Sequence, residues 1–180
     1  MAENPTQNYG QSSQGEDSVP LPVNASRKLR WGSRMLIGTA LLFLIQGIGM
    51  IYRALIEKRY ELGVTDLGGH TATELAEMNP AVQSYIDHLA VNVGGLIIAA
   101  GIAMGALVWY GVRSGHLWAL VTAVLLPTLY ALIGLPIHQT VHFDYHQLIH
   151  LGPAGIGIPL LIIGATLAYQ GIKSVNRDVR

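Results

Sequence analysis

LAVNVGGLIIAAGIAMGALVWY, residues 89–110, runs for 22 residues without a charged side chain. A helix of about 20 apolar residues, rising about 1.5 Å per residue, covers the hydrocarbon core of a bilayer. The stretch therefore predicts a transmembrane helix, and the fold depends on how many other segments resemble it.

Three further apolar stretches have a similar length, at residues 35–56, 117–137 and 151–172. Arg53, near one end of the first, is their only charged residue, and a long side chain there can reach the headgroups. Hydrophobic residues make up 51% of the chain and charged residues 12%, against about 25% charged in soluble domains. We therefore expect an all-α integral membrane protein, a four-transmembrane-helix bundle surrounded by the lipid bilayer.

The N-terminal segment differs from the rest of the chain. Residues 1–25 are polar and contain too little apolar surface to offset the entropy of ordering, so we expect a disordered tail. Residues 26–180 are then one membrane domain. Eleven basic residues balance eleven acidic ones, which argues against a nucleic-acid partner, and the absence of cysteine excludes thiolate ligands.

The basic residues are distributed unevenly about the predicted spans. Cytoplasmic segments near a span are enriched in Lys and Arg, and tryptophan concentrates at membrane surfaces. Trp31, Trp109 and Trp118 fall at the membrane face where most of the basic residues lie. Eight of the eleven basic residues lie on that side: Arg27, Lys28, Arg30, Arg34, Arg113, Lys173, Arg177 and Arg180. We predict that both termini are cytoplasmic.

The segment between the first two spans includes LGGHTATELAEMNPAVQSYIDH, residues 67–88. Turn glycines precede an expected helix start at Thr73, and Asn79-Pro80 divides the segment. We expect one or two short interfacial helices here, on the extracytoplasmic side.

Small residues predict how the spans pack. GIAMG at 101–105 is a small-xxx-small pattern that Gly95 and Ala99 extend, and glycine recurs every seven residues at Gly157, Gly164 and Gly171. Such faces let helix backbones approach closely. They can also serve contacts in a homo-oligomer or a larger membrane complex.

The candidate site lies in HQTVHFDYHQLIH, residues 138–150. His138, His142, His146 and His150 recur every four residues, and each step rises about 6 Å along a helix. Two imidazoles at this spacing can chelate one ion, but all four cannot reach the same one. Pro136 and Gly152-Pro153 are expected to bound this histidine stretch, which can then form a separate helix that continues from the third span or precedes the fourth.

A histidine pair needs ligands from another segment. His88, at the outer end of the second span, is the nearest candidate together with Asp87. Asp144, Glu74, Glu77 and His70 are weaker candidates. Zn, Cu or non-haem iron suits such a set, and haem suits it less because no histidine lies deep in a span. Asn92, one turn from His88, should face the same way. A proton-handling cluster and an inert interfacial face remain alternatives.

No nucleotide-binding loop, serine nucleophile elbow or HExxH motif occurs, so soluble-enzyme classes have no support. We expect a small membrane protein with a His-rich extracytoplasmic ligand or metal site, acting as a binding or accessory subunit of a membrane complex. One alternative is a metal- or haem-dependent redox enzyme acting on a lipid-soluble substrate. The other is a structural assembly subunit without a ligand.

Overall fold

The computed structural model describes residues 23–60, 64–140 and 152–178, with side chains over 27–60, 64–133 and 155–175. The described chain is all-helical, and its residues form no strand beyond an isolated bridge between Leu67 and His70. The helices are α1 (Val23–Tyr52), α2 (Ala72–Met78), α3 (Pro80–Ala106), α4 (Leu117–Thr140) and α5 (Gly152–Asp178). A π-helical segment extends α1 over Arg53–Glu57, and another extends α3 over Leu107–Val112.

Three of these helices are long and apolar enough to cross a membrane. The apolar segments are Arg27–Glu57, Pro80–Val112 and Gly155–Val175, with mean hydropathies of 1.9, 2.1 and 1.6. A fourth apolar helical stretch, Leu117–Ile133, is shorter over the described side chains. Large apolar side chains lie exposed along the spans, as at Ile45 and Leu96. In water this surface would be unfavourable, so the protein is membrane-embedded.

Helix α1 lies at the centre of the bundle, because both α3 and α5 pack along it. Each of these two helices runs antiparallel to α1. Against α3, Gly101 faces Ala40 while Gly94 faces Gly47 and Ile51. A Cβ added to Gly94 would lie 2.9 Å from the Gly47 carbonyl oxygen. The two backbones therefore approach each other too closely for a larger residue at this position.

Helix α5 contacts α1 through its own glycine row. Gly171 packs on Leu29, Gly164 packs on Gly32 and Met35, and Gly157 lies near Leu42. This confirms the predicted seven-residue glycine face of the last span. A Cβ added to Gly164 would lie 3.0 Å from the Met35 Cβ and 3.2 Å from the Gly32 carbonyl oxygen.

Helix α4 runs in the same direction as α1. Its start lies against the end of the α3 segment, where Ala119 contacts Gly111, and farther along the Tyr130 ring meets the Phe43 ring edge-on at 5.9 Å. The buried core joins all four long helices at one end of the bundle. Its members are Leu29, Leu36, Ala40, Met104, Val108, Val112, Ala119, Leu120, Ala123, Ala168 and Ile172.

Two local expectations are wrong. On α3, Gly94 and Gly101 face α1, whereas a Cβ on Gly95 would meet nothing within 4 Å. The packing face therefore repeats every seven residues and excludes Gly95. Helix α4 continues through Pro136 to Thr140, so Pro136 does not end the third span and His138 lies on α4 itself. Helix α1 begins at Val23, close to the expected end of the tail, and residues 1–22 lie outside the described chain.

Candidate functional site

The two ends of the bundle differ in composition. One end, here called the basic end, carries the start of α1, the α3–α4 connection and the end of α5. The other, called the acidic end, carries the end of α1, the described residues 58–60 and 64–79, and the start of α3. Its described carboxylates are Glu57, Asp66, Glu74, Glu77 and Asp87.

At the basic end, two cations lie on aromatic rings and a third forms a hydrogen bond between helices. The Arg113 guanidinium stacks 4.1 Å from the centroid of Trp109, and Arg34 lies 5.3 Å from that of Trp31. Lys28 Nζ donates to Gln170 Oε1 at 2.9 Å, which joins the start of α1 to the end of α5. The predicted clustering of basic residues and tryptophans at one end is therefore confirmed for the described residues.

At the acidic end, Arg53 shapes the way the chain leaves α1. Its Nε donates to the Tyr60 carbonyl at 2.9 Å, and its guanidinium lies 3.4 Å from Glu57. The Arg53 carbonyl accepts hydrogen bonds from the backbone N–H groups of Lys58 and Arg59, with Lys58 in the left-handed region at φ 53°. The Arg53 side chain therefore contacts residues 57–60 beyond the end of α1 and stabilises this turn.

Asp87 faces α1 from the first turns of α3. Lys58 Nζ lies 3.3 Å from its Oδ2, and Gln83 Nε2 donates to its Oδ1 at 2.8 Å. The Asp87 side chain is only 15% exposed, whereas that of Lys58 is 58% exposed. Both carboxylate oxygens are thus engaged within the protein, which makes Asp87 a poorer metal ligand than the sequence indicates.

His88, the next residue, lies exposed on α3. Asn92 Nδ2 lies 3.0 Å from the His88 ring nitrogen Nε2 and donates to the His88 carbonyl at 2.8 Å. The predicted association of these two residues is confirmed. If the amide donates to Nε2, the ring carries its proton on Nδ1, and a metal at Nε2 must replace that hydrogen bond.

Residues 60–79 form an ordered cap over this end wherever the structure describes them. Tyr60 is buried and its hydroxyl donates to the His70 carbonyl at 3.3 Å. Burial raises the pKa of Tyr60, and the nearby carboxylates Asp66 and Glu74 raise it further. The neutral phenol therefore suits this position.

Helix α2 begins with a capping box two residues earlier than expected. The Thr71 hydroxyl accepts from the Glu74 backbone N–H at 3.3 Å, and Glu74 accepts from the Thr71 N–H at 2.8 Å. The Thr71 backbone hydrogen bond, followed by that of its hydroxyl, lowers the pKa of Glu74. The start of α2 is fixed by Thr71, whereas Thr73 was expected to begin the helix.

The predicted metal set is only partly described. Asp87 and His88 share the start of α3 but face different surroundings, and among the described residues no three histidines or carboxylates form a group that could hold a metal. His138 lies on α4 with its side chain outside the described part. His142, Asp144, His146 and His150 lie outside the described residues altogether.

The sequence did not reveal a cavity of about 350 Å³ beside Asp87. One signal could have pointed to it: Asp87 precedes Gly94 by seven residues and Gly101 by fourteen, so it belongs to the α3 face that packs on α1. Gln83 precedes Asp87 by four residues on α3, a helical spacing that could have indicated their contact. Lys58 offered no comparable pattern, because its contact with Asp87 depends on the turn at the end of α1.

Comparisons with protein-family models, with curated proteins and with solved structures gave no match. The function must therefore be argued from the residues and the geometry alone.

Proposed function

We propose that this chain is a four-span integral membrane protein whose acidic end faces the extracytoplasmic side and carries a His-rich metal site. In this proposal it acts as a binding or accessory subunit of a membrane complex. Helices α1, α3, α4 and α5 are the spans, and α2 with the first turn of α3 lies at the membrane surface.

The direction of α4 is the observation that carries the metal proposal. Phe43 of α1 contacts both Gly101 of α3 and Tyr130 of α4, so these three residues lie at one level. His88 precedes Gly101 by 13 residues, about 20 Å along a helix, and Thr140 follows Tyr130 by ten residues, about 15 Å. The end of α4 and His88 therefore lie within about one helical turn of the same level.

At a shared level, the two segments could supply ligands to one ion. His88 supplies one exposed imidazole, and a histidine pair from residues 138–150 would supply two more. Three imidazoles are a ligand set that Zn and Cu accept, and a non-haem iron would need an added carboxylate. Asp144 is the carboxylate within that segment, whereas Asp87 already pairs with Lys58.

The charge distribution supports the orientation. The described cations at the basic end include Arg27, Lys28, Arg30 and Arg34 on α1, Arg113 after α3 and Lys173 on α5. Cytoplasmic retention of such residues would place the acidic end outside the cell or organelle membrane. Exposed Trp109 and Trp118 at the basic end suit a headgroup layer.

Metal binding by the purified full-length chain tests the site. Isothermal titration with Zn²⁺ and with Cu²⁺ is expected to show binding that His88→Ala weakens at least tenfold and that His142→Ala with His146→Ala abolishes. His116→Gln at the basic end is the matched control and should leave binding unchanged. Equal affinity in all four proteins, or no binding in the unaltered chain, would refute the metal site.

Single cysteines test the orientation, because the natural chain has none. Thr65→Cys lies exposed at the acidic end and Ser114→Cys lies exposed at the basic end. A membrane-impermeant maleimide added to intact cells should label Thr65→Cys, and Ser114→Cys should react only after the membrane is opened. The reverse pattern would refute the orientation while leaving the metal titration interpretable.

A further inference from the structure

The cavity at the acidic end lies between α1 and α3, away from His88 and α4. Met50 and Ala54 line it from α1, Leu89, Ala90 and Val93 line it from α3, and Tyr60 with Leu67 covers it from the connecting segment. Its volume of about 350 Å³ falls at the lower end of small-molecule pockets, which span roughly 300 to 1,000 Å³. Most of the lining is apolar.

The cavity extends from the apolar part of the bundle to its polar cap. Leu89 and Val93 begin the apolar run of α3, whereas Arg59 and Tyr60 belong to the segment that follows α1. At a membrane surface this boundary corresponds to the step from acyl chains to headgroups. A molecule that fills the cavity must therefore be apolar at one end and polar at the other.

The charged residues at the polar end of the cavity determine which charge the headgroup of that molecule should carry. Asp87 lines the cavity, but Lys58 and Gln83 engage its two oxygens, so it has little remaining affinity for a cation. Arg59 also lines the cavity, and its guanidinium has no ion-pair or hydrogen-bond partner among the described residues. An arginine beside an apolar cavity suits a carboxylate or phosphate, which it can bind through two parallel N–H groups.

The backbone holds Arg59 in place without using its side chain. The Arg59 N–H donates to the Arg53 carbonyl at 3.1 Å, and the neighbouring Tyr60 carbonyl accepts from Arg53 Nε. The turn is therefore fixed at two points, while Arg59 as a whole remains exposed. A cation positioned in this way loses little conformational entropy of the backbone when it binds an anion.

We propose that this cavity binds an anionic amphiphile, with its acyl chain between α1 and α3 and its acidic headgroup on Arg59. A free fatty acid and an anionic phospholipid share this chemistry. The site is independent of the proposed metal site, because neither His88 nor a residue of α4 lines the cavity.

Photo-crosslinking of the full-length protein in phosphatidylcholine nanodiscs tests the proposal. A long-chain alkanoate with a diazirine at its chain end should label residues 86–93 or 50–54, as read by peptide mass spectrometry. The corresponding alcohol should label them at least tenfold less. Shortening the alkanoate by one methylene should weaken binding about fourfold.

Variants separate the cavity from ordinary lipid contact. Arg59→Gln should reduce labelling at least tenfold and Arg59→Lys should retain part of it, whereas Arg113→Gln at the basic end should have no effect. Ala90→Phe should fill the cavity and abolish labelling, whereas Ala99→Phe, on an exposed part of α3, should not. Circular dichroism would confirm that each variant is folded.

Competition identifies the source of the amphiphile. Displacement of the probe by added phosphatidylglycerol supports a membrane phospholipid, and displacement by unlabelled alkanoate alone supports a free fatty acid. The proposal is overturned if the alcohol labels as strongly as the alkanoate, or if Arg59→Gln and Arg113→Gln change labelling equally. His88→Ala should leave labelling unchanged.

Discussion

Lys58 Nζ lies 3.3 Å from the Asp87 carboxylate oxygen Oδ2, and this ion pair joins the turn after α1 to the first turns of α3. The two partners differ in solvent contact, since the Lys58 side chain is 58% exposed and that of Asp87 only 15%. Removing the lysine leaves a largely buried carboxylate without its counter-ion. Removing the carboxylate charge leaves a cation that water can hydrate.

Lys58→Gln should therefore lower the free energy of unfolding more than Asp87→Asn does, by about 1–2 kcal/mol. Asn at 87 can still accept a hydrogen bond from Gln83, and the double variant should be no less stable than Lys58→Gln alone. Denaturation of the detergent-solubilised protein measures all three variants. A larger loss in Asp87→Asn, or strict additivity in the double variant, would show that the pair does not carry this coupling.

Close contact between α1 and α3 predicts an asymmetric response to adding a methyl group. A Cβ at position 47 would lie 2.5 Å from the Gly94 carbonyl oxygen, so Gly47→Ala must push the helices apart and should destabilise by about 1–3 kcal/mol. Gly95→Ala is the matched control, since its Cβ meets nothing within 4 Å and alanine favours a helix by about 0.5–1 kcal/mol over glycine. Thermal unfolding of both variants should give a lower melting temperature for Gly47→Ala than for Gly95→Ala. Equal melting temperatures would contradict this packing.

The capping box of α2 predicts a local dependence on pH. The Thr71 hydrogen bonds lower the pKa of Glu74 in the folded protein, so its stabilising effect is present above the ordinary carboxyl pKa of 4.5. That effect is lost as the pH falls through the lowered pKa. Amide hydrogen exchange in 72–78 should accelerate there after correction for the intrinsic rate.

Two variants of the capping box supply the controls. Glu74→Gln keeps a hydrogen-bond acceptor without the charge, so its protection should no longer change across this acidic range. Thr71→Ala removes the hydroxyl and should loosen α2 at every pH. If Glu74→Gln follows the same pH profile as the unaltered chain, another group is responsible.

Asn92 should oppose metal binding at His88. Its amide nitrogen lies 3.0 Å from the imidazole Nε2, the atom through which a metal would be bound, and that contact must break first. Asn92→Leu should raise the affinity for Zn²⁺ about fivefold, the net value of one hydrogen bond. Competition with a chelator measures the change. Thr122→Val, which removes a hydroxyl bonded to the Trp118 carbonyl, should have no effect.

A fall in affinity in Asn92→Leu would show instead that the amide orients the ring for the metal. That result would keep the metal site and reverse the role of Asn92.

Most sequence patterns that repeat along a helix were interpreted correctly, with the stripe through Gly95 as an exception, whereas single contacts between segments were not predicted. The apolar runs predicted the membrane helices, and the seven-residue spacing of Gly157, Gly164 and Gly171 predicted the face that meets α1. On α3 the small residues Gly94, Gly95 and Gly101 were ambiguous, because several faces contain glycine. Only the partner helix shows that Gly94 and Gly101 are used.

The contacts of the candidate site also fall into those that helical spacing predicts and those that it does not. Asn92 follows His88 by one helical turn, so their contact was predictable from spacing alone. Lys58 lies 29 residues before Asp87, and no local rule joins them. The sequence therefore indicated where polar residues collect but not which of them already satisfy one another.

By itself the sequence determined that this chain belongs in a membrane, because burying its apolar helices in lipid depends only on composition and length. It also determined that cations and tryptophans collect at one end, since their positions between successive apolar segments fix the end of the bundle at which they lie. Tertiary structure alone decided which helix is central, which glycines touch, and how Arg53 turns the chain so that Lys58 meets Asp87. Those outcomes depend on distances between segments far apart in sequence, where packing and hydrogen bonding act together.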